Sequence, residues 1–163
     1  MDIGTKSPEG QQNEINEMRG KYLTFWTDEQ MFAIPIVNVV QIIQMQDITP
    51  IPEFPHYAKG IINLRGTVIP TIDLRLRLGK MEMGYTAHTC IIVMSIHDQL
   101  AGLIVDQVNE VLPIEDDQIS PPPALGSSLS SRFLKGIGKT ESGITLLLSV
   151  DRLIDENIYA ALE

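Results

Sequence analysis

A chain of 163 residues with 44% hydrophobic content is long enough to bury a core, either as one domain or as two small subdomains sharing one. Its formal net charge of -9 opposes binding to the phosphate backbone of nucleic acid, which needs a basic face to displace counterions. A single cysteine excludes an internal disulfide framework, and no apolar run approaches the roughly 20 residues that cross a bilayer.

Residues 1–19 are rich in Gln, Asn, Glu and Ser, which predicts a mobile tail. They lack the basic and apolar regions of a signal peptide, so the expected location is cytoplasmic. Residues 21–26, Lys-Tyr-Leu-Thr-Phe-Trp, are a β-branched and aromatic run. The run ends at a turn over 27–30 and returns as an antiparallel neighbour over 31–36. Residues 37–45 allow a short helix, yet their β-branched density favours an extended or mixed segment. Pro50, Pro52 and Pro55 forbid a central strand and predict a connector.

Gly60 to Asn63 and Thr67 to Leu74 then read as a hairpin. Strand alternation beyond it would put Arg75 and Arg77 together on a solvated edge. Residues 90–96 and 100–105 predict another hairpin, with His97-Asp98 at its exposed tip and Cys90 as a buried strand thiol. Pro121-Pro122-Pro123 begins a second connector, and 127–133 allow a helical turn. Leu153, Ile154, Ile158, Ala161 and Leu162 stand near helical spacing and predict a short C-terminal helix over 151–163.

The second half of the chain echoes the first. Lys59-Gly60-Ile61 opens a segment that runs through a polar tip to an apolar return, and Lys135-Gly136-Ile137 opens another of the same plan. Upstream, residues 34–43 align with 103–112, so that Val39 matches Val108 and Gln41 matches Glu110. Ile48-Thr49-Pro50 matches Ile119-Ser120-Pro121 between them. Order kept across four segments predicts a duplicated all-β unit built from small barrels.

Catalytic constellations are sparse. His56, His88 and His97 are scattered without ligand spacing, which predicts no metal site, and the glycines at 60 and 66 lack the Lys-Ser/Thr of a phosphate loop. No cofactor is expected. Glu115-Asp116-Asp117 has the composition of a solvated loop, whereas Asp73, among arginines, suits an ion pair. The hairpin tip Asn63-Leu64-Arg65-Gly66 stands apart. Asn63 and Gly66 suit a turn with a positive backbone dihedral, but the turn itself needs neither Leu64 nor Arg65. An apolar plug beside a planar donor fork suits a protein interface.

The segment from Gly60 to Arg75, Gly-Ile-Ile-Asn-Leu-Arg-Gly-Thr-Val-Ile-Pro-Thr-Ile-Asp-Leu-Arg, resembles the hallmark of the CheW-like family of bacterial chemotaxis coupling proteins. Phe32-Ala33-Ile34-Pro35-Ile36, Thr89-Cys90-Ile91-Ile92-Val93, Gly102-Leu103-Ile104-Val105-Asp106 and Lys135-Gly136-Ile137-Gly138-Lys139 extend the likeness over nearly the whole chain after the tail. Related domains occur in the kinase CheA and in CheV. A chain this short leaves no room for a kinase core or a receiver domain, so a stand-alone coupler is expected.

The resemblance implies two intertwined five-stranded SH3-like barrels with short helical segments, in one domain over 20–163 divided near residue 88, with strands exchanged. It implies a non-catalytic adaptor that joins the cytoplasmic tips of methyl-accepting chemoreceptors to the regulatory domain of CheA, in arrays on the inner face of the cytoplasmic membrane. Other CheW-like domains are further possible partners. Asn63, Leu64, Arg65 and Gly66 fall in the segment implicated in those contacts, while Val39, Ile36 and Val108 match apolar groove positions, flanked by Gln41 and Glu110. Gln41 departs from the family, where glutamate is usual, and Ser149 stands opposite Asp73 in the internal repeat. Two rivals remain open: a coupler for a separate chemosensory pathway such as pilus motility, and a ligand-binding barrel using Asp73, Arg65 and Arg75.

Overall fold

A computed structural model describes residues 18–122 and 130–162. Nearly all of the expected tail, and the start of the helical turn expected at 127, lie outside the described residues. Eleven strands dominate the rest. They are β1 (Lys21–Thr27), β2 (Gln30–Pro35), β3 (Val39–Gln44), β4 (Ala58–Leu64), β5 (Thr67–Asp73) and β6 (Cys90–Ile96). The remainder are β7 (Gln99–Val105), β8 (Gln107–Pro113), β9 (Ile119–Ser120), β10 (Leu134–Thr140) and β11 (Gly143–Leu148).

The strands form two sheets, one ordered β8-β1-β2-β11-β10-β9 and the other β3-β6-β7-β5-β4. The internal repeat superposes these orders strand on strand. β8 corresponds to β3, and the β1–β2 hairpin to β6–β7. The parallel pairing of Ala33 with Leu147 corresponds to that of Gly102 with Thr71. Thr49 bridges to Ile61 just as Ser120 pairs with Ile137. Each sheet therefore takes one hairpin from one half of the sequence and its other strands from the other half, which is the intertwining the resemblance implies. The first sheet has six strands rather than five because the short β9 joins its edge.

Strand alternation sorts the core into three parts. Ile62, Ile69, Ile91, Val93 and Ile104 fill the β3–β7 sheet's own interior. Tyr22, Ala33, Ile114 and Leu147 fill the interior of the other. The opposite faces, with Phe25, Phe32, Ile72, Ile92, Met94 and Leu103, meet in one large cluster shared between the sheets. Burial of this shared cluster, at about 25 cal/mol per Å² of apolar surface, favours keeping the two sheets packed together.

Four local expectations need correction. Leu74–Arg77 is a helical turn rather than the end of a strand, and Asp73 caps it by accepting from Leu76 N. Arg75 is therefore not on a solvated strand edge. Its Nε and Nη2 donate to Asp106 and its Nη1 to Asp28. Arg77 lies over the rings of Tyr57 and Phe133, 3.9 and 4.6 Å from their centroids, and donates to the carbonyls of Leu153 and Arg152. Asp73 is consequently a buried cap, not the partner of a neighbouring arginine. The C-terminal helix is two short helices, Val150–Leu153 and Glu156–Ala160, because Ile154 is extended and Asp155 starts a new cap on Asn157 N. Cys90 lies in β6 as expected but is half-buried rather than fully buried, and burial pushes its thiol pKa up.

Candidate partner-binding interface

The β4–β5 hairpin closes with Leu64 opposite Thr67, which leaves Arg65 and Gly66 as the two turn residues at φ of 53° and 88°. Both positive angles define a type I′ turn, the form that matches strand twist. Asn63 does not supply the positive dihedral expected of it. Its Oδ1 instead accepts from Gly66 N at 2.8 Å and locks the turn from the side. The left-handed position falls to Arg65, a long side chain where glycine, asparagine or aspartate is the low-cost choice. The other such turns place Asp28 with Glu29 and His97 with Asp98.

Arg65 is exposed, and its guanidinium meets no acceptor among the described residues. Five N–H donors thus face solvent on a rigid stem. Leu64 beside it is half-buried and packs under the tip against the Ile62 and Ile69 cluster. Val68, on the returning strand, is 48% exposed, and its repeat counterpart Ile144 is 52% exposed.

The apolar candidates lie elsewhere. Ile36, in a short 3-10 turn, together with Val39 and Val108, is half-buried against the core shared by the two sheets. β3 and β8 are each an edge strand, and each carries a bulge at the same repeat position. Val39 faces Met94 while Gln41 faces Val93, and Val108 faces Phe25 while Val111 faces Leu23. A bulge re-aims side chains and blunts an edge against unwanted pairing. Here it turns Val39 and Val108 toward the seam and leaves Val40, Ile42 and Val111 about half exposed beside it. At the β8 bulge, Thr24 Oγ1 donates to the Glu110 carbonyl at 2.7 Å, and Glu110 N donates back at 3.2 Å. The Glu110 carboxylate is left in solvent, whereas Gln41 is half-buried.

Two surfaces therefore emerge, a basic and apolar hairpin tip and an apolar seam between the sheets, resting on different core clusters. Val40, Ile42, Val68 and Val111 were missed as candidates. Their signal was present in the repeat, which sets Ile42 against Val111 on twin edge strands. Arg65 lies outside the cavity that Asp73 and Arg75 help to line, so the three residues of the ligand-binding rival do not share a pocket.

A family model described as CheW-like domain matches residues 21–157. The chain belongs to the CheW-like family. A chemotaxis protein CheW from Helicobacter pylori is 32% identical over 91% of this chain and 89% of its own length. A probable chemotaxis protein CheW from Rhizobium etli is 34% identical over 87% of this chain and 92% of its own. The crystal structure of the scaffolding protein TtCheW from Thermoanaerobacter tengcongensis is similar in fold, with a TM-score of 0.78 and 38% identity over 85% of this chain and 94% of that one. The match spans both sheets and reaches the helix Glu156–Ala160, so hairpin tip and seam both lie within the CheW-like domain.

Among the described residues no trio of His, Cys, Asp or Glu is placed to hold a metal ion, and no helix is long and apolar enough to cross a membrane.

Proposed function

We propose that this CheW-like protein is a non-catalytic cytoplasmic adaptor that couples methyl-accepting chemoreceptors to the histidine kinase CheA in arrays beneath the cytoplasmic membrane. The observation that carries the reading is Arg65, an unpaired guanidinium held at a costly turn position beside Leu64. Fold stability gives no reason to prefer arginine there, so its use lies in a contact with a partner. Arg65 acts as a charge-assisted donor to a carboxylate or carbonyl, with Asn63 and Gly66 holding its stem. Ile36, Val39 and Val108 offer the apolar seam to the helical hairpin of a receptor tip, a helix-in-groove arrangement, with Gln41 and Glu110 at its rim. Loss of one such anchor costs about 2 kcal/mol or more of binding if it is a hot spot.

The test is co-sedimentation with receptor signalling fragments and CheA, wild type against Arg65→Glu, with kinase autophosphorylation as the readout. The expected result is assembly and kinase activation by the wild type, and failure of the variant with an unchanged circular dichroism spectrum. Absence of association by the wild type with either partner would overturn the reading.

A further inference from the structure

A cavity of about 460 Å³ opens between the β1–β2 turn, the helical turn Leu74–Arg77 and the loop that leads into β6. Trp26, Met83, Tyr85 and Ile104 give it an apolar and aromatic side, and Glu29, Asp73 and Asp106 an acidic one. Arg75 and His88 are the basic side chains of this lining, and the donors of Arg75 are engaged by Asp106 and Asp28. Lys80 pairs with the same Asp28 at 2.9 Å. Arg75 and Lys80 balance Asp28 and Asp106, which leaves Asp73 and Glu29 without a counter-charge.

Asp73 is only 2% exposed. Its donors are Leu76 N at 3.4 Å and the Tyr85 hydroxyl at 2.9 Å, and no cation lies within 4.0 Å of it among the described residues. A buried carboxylate with half its acceptor capacity unused is costly. Helix capping does not require that cost, because Ser149, its counterpart in the repeat, precedes the helix Val150–Leu153 with no side-chain cap at all. The acidic groups are too dispersed for a metal ion, which leaves a single organic charge as the complement.

We propose that this cavity binds a small organic ammonium ion, its charge between Asp73 and Glu29 and its apolar body against Trp26 and Tyr85. Aromatic faces attract such cations, and the volume falls in the ordinary range of small-molecule sites, about 300–1,000 Å³. The site is independent of the Arg65 tip and of the seam, so it stands or falls apart from the coupling role.

Trp26 is the sole tryptophan and lines the cavity, so its emission reports occupancy directly. Choline is titrated against its neutral carbon analogue, in which a tert-butyl group replaces the trimethylammonium. The expected result is a saturable change with choline, at least about tenfold weaker with the analogue and about tenfold weaker in Asp73→Asn, where the asparagine Oδ1 still accepts from Leu76 N and its Nδ2 donates to the Tyr85 hydroxyl oxygen. Glu29→Gln, at an exposed turn where folding is not at stake, weakens choline by several-fold. No saturable change with choline, an equal response to the analogue, or unaltered binding in both variants would overturn the proposal. A response to a short lysine peptide but not to choline would also overturn it, in favour of a partner's side chain.

Discussion

Gly60 and Gly136 occupy the same place in the two halves of this protein, yet substitution by alanine should separate them sharply. Gly60 has φ of +144°, and a Cβ built on it would sit 2.1 Å from the Thr49 carbonyl oxygen, with Thr49 C and Pro50 Cα also inside 3.0 Å. That carbonyl accepts from Ile61 N, and Thr49 N donates to Ile61 O, both at 2.9 Å. Alanine must push the connector away and lose both bonds, at a net of about 1 kcal/mol each. Strain at a dihedral that side chains avoid adds roughly 1–3 kcal/mol. The reduced freedom of the unfolded chain returns about 0.4–1 kcal/mol. Gly60→Ala should therefore cost about 3 kcal/mol, a large share of the roughly 5–15 kcal/mol that holds a domain together.

At Gly136 the nearest atom is the Ile119 Cγ2 side-chain methyl at 2.9 Å, with Ser120 O at 3.2 Å, and no positive φ is involved. The two-residue β9 can give way there, so Gly136→Ala should cost about 1 kcal/mol or less. Urea unfolding followed by circular dichroism and by the emission of the single tryptophan measures both. Equal losses, or a larger loss for Gly136→Ala, would refute the reasoning.

All four tyrosines have pKa values raised above 10.0, with burial as the first cause in each, and at Tyr85 the nearby Asp73 adds to it. A folded-state pKa above the unfolded one means that this contribution to stability is complete below about pH 10 and is lost as the pH rises further. Phenolate absorbance should thus appear later in the native protein than in urea, and Tyr85→Phe should lessen the alkaline loss of stability. A native titration curve that coincides with the denatured one would sink this account. Arg77→Lys keeps the charge but gives up the stacked plane over Tyr57 and Phe133 and the paired donation to Leu153 and Arg152. It should lower stability by about 2 kcal/mol in thermal denaturation, whereas no measurable change would assign those contacts no weight.

The hairpins and the duplication were legible because turn residues and strand periodicity are local, and because pairing followed the repeat even at Thr49–Ile61 and Ser120–Ile137. The segment Leu74–Arg77 reads as a strand because Leu-Arg-Leu-Arg alternates as a strand would, whereas what closes it as a helical turn, Leu78 N donating to the Leu74 carbonyl with Asp73 capping Leu76 N, leaves no mark in that alternation. The helix break at Ile154 was hidden for the opposite reason, since apolar spacing continues through it while Asp155 restarts the helix. At the candidate interface, Asn63 to Gly66 could be singled out by turn chemistry, whereas Val39 and Val108, paired by the repeat, owe their candidacy to the family resemblance. Their separation onto two surfaces depends on which core each strand face joins, and no short segment encodes that.

The exchange of hairpins between the sheets has a consequence for how the chain reaches this state. β2 meets its parallel neighbour β11 only after almost all of the intervening chain exists, and β5 must likewise wait for β7. High contact order of this kind slows folding and exposes unpaired strand edges during synthesis. A ribosome-bound fragment ending after β5 would present the apolar faces of β1, β2 and β5 with nothing to cover them. Neither half should thus fold alone, and a cut between β5 and β6 should yield two insoluble pieces that recover the native fold only when mixed while unfolded.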